Sequence, residues 1–173
     1  MAAIPTPSFE EAIAQTRTFL DRLQAGSIPE VEISQTVAEL VGTVAGARGF
    51  FVVYLTDDRS LVDQPQPAVL QGLRQQPDIV GDLLVKNLAM SSAMALHHQR
   101  NQDSAIALKS QRASRRAAVL IQSLELENTT LKLQQLQATI AAGGGEYQDF
   151  LDRWSYDPEQ QQAIAAAVTP LLP

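Results

Sequence analysis

The sequence predicts a mainly α-helical bundle. Three observations carry that reading. Apolar residues recur at three- and four-residue spacing through most of the chain, the mark of one buried face per helix. Helix-start signals precede several of these runs, with Ser8 and Glu11, and Asp157 and Gln160, at capping-box spacing. The composition is 45% hydrophobic but only 5% aromatic, so the core is aliphatic and Ala-rich. The expected architecture has a central buried helix, a long helix in the C-terminal half, and at most a minor strand or hairpin near residues 50–62. A length of 173 residues suits one domain with an appendage. The divisions expected are a helical domain over 1–142 and a glycine-hinged helical extension over 143–173.

Residues 1–7 read as a short Pro-containing lead-in. The first helix starts at Ser8, buries Phe9, Ala12, Ile13, Thr16, Phe19, Leu20 and Leu23, and closes at Gly26. Ser27 and Glu30 repeat the capping spacing with Pro29 in the first turn, and Ile33, Val37, Leu40, Val41 and Val44 form the second helix's stripe. The run GTVAGARG resembles a phosphate-binding loop only superficially. It lacks the GK[ST] ending and follows a helix rather than a strand. Close backbone packing at a helix end is the reading favoured for Gly42, Gly46 and Gly49.

FFVVYLT, residues 50–56, is β-branched and aromatic, which favours a strand. A strand without a partner leaves its backbone unsatisfied, so a helix or a buried irregular segment is preferred. A short helix is expected over 67–74, and Pro77 opens the next one. Residues 79–99 are apolar on most sides, with a narrow strip holding Asp82, Lys86 and Arg100. Such a helix belongs at the centre of a bundle.

Residues 101–103 break or turn the chain, with Asp103 or Ser104 as the next cap. A long helix to about Ala142 then carries two heptad-spaced stripes: Ala117, Leu124, Leu131 and Ala138, and Val119, Leu126, Leu133 and Ile140. A continuous helix of that kind needs cover on two sides, one of them a candidate surface for a second chain. After the glycines at 143–145 come Tyr147, Phe150, Trp154 and Tyr156, four of nine aromatics.

The formal net charge is −6, which argues against indiscriminate nucleic-acid binding. Within 96–118, however, five basic residues face one acidic residue. Arg100, Lys109, Arg112, Arg115 and Arg116 are therefore the candidate partner-binding face. An acidic protein is the first expected partner, with self-association also in view, and RNA or anionic lipid the alternatives. No aromatic interleaves these charges, which weakens the RNA case.

Cysteine is absent, which excludes disulfides, thiolate zinc sites and thiol nucleophiles. His97 and His98 are adjacent, so they point about 100° apart on a helix and do not chelate one metal together. Neither a metal nor another cofactor is expected. Asn87, Ser91 and His98 share one edge of the central helix and are the candidate lining of a small-ligand pocket. Paired polar contacts in a bundle are the commoner role for such residues. The cluster Asp57, Asp58, Asp63 and Arg59 lacks calcium-loop spacing and reads as a turn. The N-terminus lacks a basic, apolar leader, and 79–96 contains Asp82 and Lys86, so a cytoplasmic location, or one peripheral to a membrane, is expected.

The phrases NLAMSSAMALHHQRN and RGFFVVYLTDD, within residues 46–120, resemble a family of small conserved cyanobacterial proteins of unknown function. The resemblance implies a cyanobacterial cell and an accessory or assembly role near the photosynthetic apparatus. It carries over no catalytic residues. The functional expectation is a non-catalytic helical interaction protein. The alternatives are a nucleic-acid or anionic-surface binder using the basic face, and a small-ligand binder or enzyme at Asn87, Ser91 and His98.

Overall fold

The computed structural model describes residues 6–173, so residues 1–5 of the expected lead-in lie outside the described residues. The chain forms α1 (Phe9–Gln24), α2 (Glu30–Leu40), α3 (Val44–Thr56), α4 (Pro67–Leu73), α5 (Pro77–Arg100), α6 (Ser104–Leu124), α7 (Glu127–Ala142), α8 (Gln148–Arg153) and α9 (Pro158–Val168). Single 3-10 turns lie at Ser60–Val62 and Thr169–Leu171, and there is no strand among the described residues. FFVVYLT is helical, as the last two turns of α3. Its Phe50, Phe51 and Tyr54 are at most 1% exposed, so burial outweighs β-propensity here. The chain divides into two compact units, Met1–Leu83 and Leu84–Pro173, with the boundary inside α5.

In the first unit α1 lies on α3 and α2 on α4. The Ser8–Glu11 capping box is present, with Glu11 N donating to Ser8 Oγ at 3.2 Å and Ser8 N to Glu11 Oε2 at 2.8 Å. The second capping expectation is corrected. Ser27 N and Oγ both turn back to the Arg22 carbonyl, at 3.0 and 3.3 Å, and Pro29 is the N-cap of α2 without a side-chain cap. Val44 likewise does not extend α2. It opens α3 behind Thr43, whose Oγ1 accepts from Gly46 N at 3.1 Å, and it is 57% exposed.

The glycines of GTVAGARG serve close approach. A Cβ on Gly46 would lie 2.3 Å from the Leu40 carbonyl oxygen, and one on Gly49 would lie 2.7 Å from both Ala12 Cβ and the Phe9 oxygen. The acidic turn is tied down by Arg59, which pairs with Asp21 at 2.9 Å and Asp57 at 3.2 Å.

Helix α5 is buried over a broad side, as its apolar sequence leads one to expect. Val80, Leu84, Val85, Leu88, Ala89 and Ala93 are at most 1% exposed, and at 100° per residue they cover more than half its circumference. Among the described residues it is the one helix long and apolar enough to cross a membrane, with mean hydropathy 1.4 over a window half buried inside the protein.

In the second unit the expected long helix is two helices, which corrects the continuous run to Ala142. Glu125 adopts the left-handed conformation (φ 52°) and Leu126 is extended, so the chain re-enters as α7 at Glu127. The break resolves the two-stripe problem. Helix α6 buries Ala117 and Leu124 of the first stripe, whereas α7 buries Leu133 of the second and leaves Leu131 55% exposed.

Glycine accepts φ near +52° without the cost other residues carry there. Glu125→Gly is therefore expected to stabilise the protein by about 1 kcal/mol. A continuous helix would instead lose about 1 kcal/mol on the same change. The sign of the shift in a thermal melt decides between them.

Helix α9 starts at the Asp157–Gln160 capping box and packs on α7. Ahead of it, Gly145 leaves room for Thr139 Oγ1, where a Cβ would sit 2.7 Å away, and that hydroxyl accepts from Tyr147 N at 3.2 Å. Tyr147 and Tyr156 each meet the Phe150 ring edge-on, at 6.2 and 6.3 Å. Burial pushes the Tyr156 phenol up to about 12.

Candidate functional site

Helix α6 positions most of the candidate basic residues. Asp103 caps it, its Oδ1 accepting from Ile106 N at 3.2 Å. The buried face carries Ala107, Ala113, Arg116, Ala117, Leu120, Ile121 and Leu124. The first turns also hold Ile106, 43% exposed, and Leu108, 63% exposed.

The five cations expected on one face have different settings. Arg116 is 3% exposed and shares the buried face, so it is not part of an exposed surface. A long apolar stem makes such burial tolerable once the guanidinium is engaged, and Arg116, like Arg112, makes further interactions. Arg100 ends α5 and is occupied. Its Nη1 donates to Asp157 Oδ2 at 2.5 Å, and its Nη2 donates to Asp157 Oδ1 at 3.3 Å and to Glu159. That guanidinium, with the Gln160 N–H, holds the Asp157 carboxyl below its ordinary range, while the two carboxylates raise Arg100. Arg100 thus clips the end of α5 to the first turn of α9. Lys109 and Arg115 are exposed, and Arg112 is half-buried. Among the described residues, Lys109 and Arg115 have no carboxylate partner.

Beside Arg115 lies an open cleft of about 300 Å³ between α5 and α6, lined by Ser92, Ala95, Gln111, Ser114 and Arg115. Asn87, Ser91 and His98 are half-buried and do not line this cleft. They sit roughly a quarter turn round α5 from Ser92 and Ala95. Asn87 makes further interactions, and the His98 ring meets that of His97 edge-on at 5.3 Å. His97 Nε2 lies 3.0 Å from Asn101 Nδ2. The signal for the cleft is side-chain size: Ser92, Ala95 and Ser114 leave a gap where two helices meet.

Ser92 Oγ contacts the Leu88 carbonyl and Ser114 Oγ, neither a base able to activate it as a nucleophile. Among the described residues no three His, Asp or Glu side chains gather as a metal site. The cleft presents one guanidinium, one amide and two hydroxyls.

The sequence profile of a family described as uncharacterised conserved protein UCP020893 matches residues 8–171. The chain belongs to that family. The match runs from the cap of α1 to the turn after α9, beyond the 46–120 stretch that carried the resemblance. No curated protein and no solved structure matches the chain.

Proposed function

We propose that this protein is a non-catalytic accessory protein that docks an acidic protein partner on the exposed side of α6. Lys109, Arg112 and Arg115 supply the charge, and Leu108, four residues before Arg112, supplies an apolar contact. The carrying observation is that Lys109 and Arg115 lack carboxylate partners while the exposed Leu108 stands beside them. Interfaces take most of their affinity from desolvated apolar anchors, and rim charges mainly steer and select the partner. A protein is favoured over nucleic acid because the chain is net −6 and α6 carries no aromatic residue for stacking on bases. The resemblance to cyanobacterial proteins supports a setting near the photosynthetic apparatus.

A photo-crosslinking residue at position 108 tests the surface directly, with position 131, an exposed leucine on α7, as control. An acidic protein is expected to crosslink from 108 and not from 131, and added salt is expected to weaken the product. The same products from both positions, or RNA or lipid alone at 108, would remove this reading.

A further inference from the structure

We infer that the cleft between α5 and α6 binds a small carboxylate carrying a hydrogen-bond donor beside it, such as a hydroxy acid or an amino acid. Ser92 is 8% exposed and has one hydroxyl proton, which it donates to the Leu88 carbonyl at 2.7 Å. The 2.9 Å contact between Ser92 and Ser114 is then donated by Ser114. With its only proton committed, the Ser114 oxygen offers the cleft lone pairs alone. This short relay polarises each hydroxyl along it and favours that orientation.

The other two polar side chains of the cleft are uncommitted. Among the described residues, Gln111 makes no side-chain hydrogen bond and Arg115 makes no ion pair. They are four residues apart on α6, so they are neighbours on its surface. A guanidinium presents paired N–H donors that match the two oxygens of a carboxylate, and the Gln111 amide can add another donor.

Ser114 then sets the specificity. A sulfate dianion, which carries no O–H, would turn acceptor oxygens toward its lone pairs and be repelled. A ligand with an O–H or N–H next to its carboxylate satisfies both ends. A volume of about 300 Å³ lies at the small end of ligand sites. Arg115 belongs to both readings, but the inference does not need the docking one: Leu108 and Lys109 lie outside the cleft, and Ser114, on which the specificity rests, lies outside the docking residues.

Titration of the full chain with lactate, glycine, acetate and inorganic sulfate, followed by amide NMR, tests it. Saturable shifts centred on Ser92, Gln111, Ser114 and Arg115 are expected with lactate or glycine, binding about fivefold tighter than acetate. Ser114→Ala is expected to abolish that advantage while leaving acetate binding unchanged. Arg115→Gln is expected to weaken every carboxylate by about tenfold or more. Sulfate binding as well as lactate, an advantage that survives Ser114→Ala, or no saturable shift with any probe would each overturn the inference.

Discussion

Gly49→Ala is expected to destabilise the first unit by about 2 kcal/mol, although alanine is the better helix former. Position 49 lies inside α3, where propensity alone favours alanine by about 1 kcal/mol. The added Cβ would meet Ala12 Cβ and the Phe9 carbonyl oxygen at 2.7 Å, and the Ile13 nitrogen at 3.1 Å. Two of these three are backbone atoms, so relief requires α1 and α3 to move apart. That movement loosens Ala12, Phe19, Phe50 and Phe51, all at most 2% exposed. Chemical denaturation of the variant reads the effect. A gain in stability would mean that the two helices are not in such close contact.

Leu133→Ala is expected to cost about 3 kcal/mol, and Leu131→Ala less than about 0.5 kcal/mol. The two leucines are one residue apart from adjacency and belong to the two different heptad stripes. Leu133 is 1% exposed and Leu131 is 55% exposed. Truncating the first leaves a cavity among Leu136 and its neighbours, and truncating the second uncovers little. Paired denaturation curves give the comparison. Equal costs would place both stripes under cover and contradict the break at Glu125.

Local signals were legible in the sequence. The Ser8–Glu11 and Asp157–Gln160 boxes, Pro67 and Pro77 at helix starts, and the turn at 101–103 are settled within a few residues by backbone hydrogen bonding. Ser27 misled because its hydroxyl had a competing acceptor, the Arg22 carbonyl, which only the closed turn at Gly26 brings near. The break at Glu125–Leu126 carries neither glycine nor proline. It is imposed by tertiary burial, which turns Leu133 inward at the cost of one left-handed residue. The candidate site was legible in part. Counting charge located the basic stretch, but charge says nothing of burial or pairing. Arg116 follows its helix face inward, and Arg100 meets carboxylates 57 and 59 residues away. The cleft was missed because the residues that make it, Ser92, Ala95 and Ser114, are marked by small size.

The central claim is that an acidic protein docks on the exposed basic side of α6. The most direct measurement compares the wild-type chain with the double variant Lys109→Glu, Arg115→Glu as bait in native lysate, at low and high salt. Both substitutions are at exposed positions, so the variant is expected to keep its helical content. The account predicts an acidic protein captured by the wild type, depleted by salt, and at least about tenfold reduced on the double variant. Capture of the same protein in equal amount by both baits, at both salt concentrations, would contradict it.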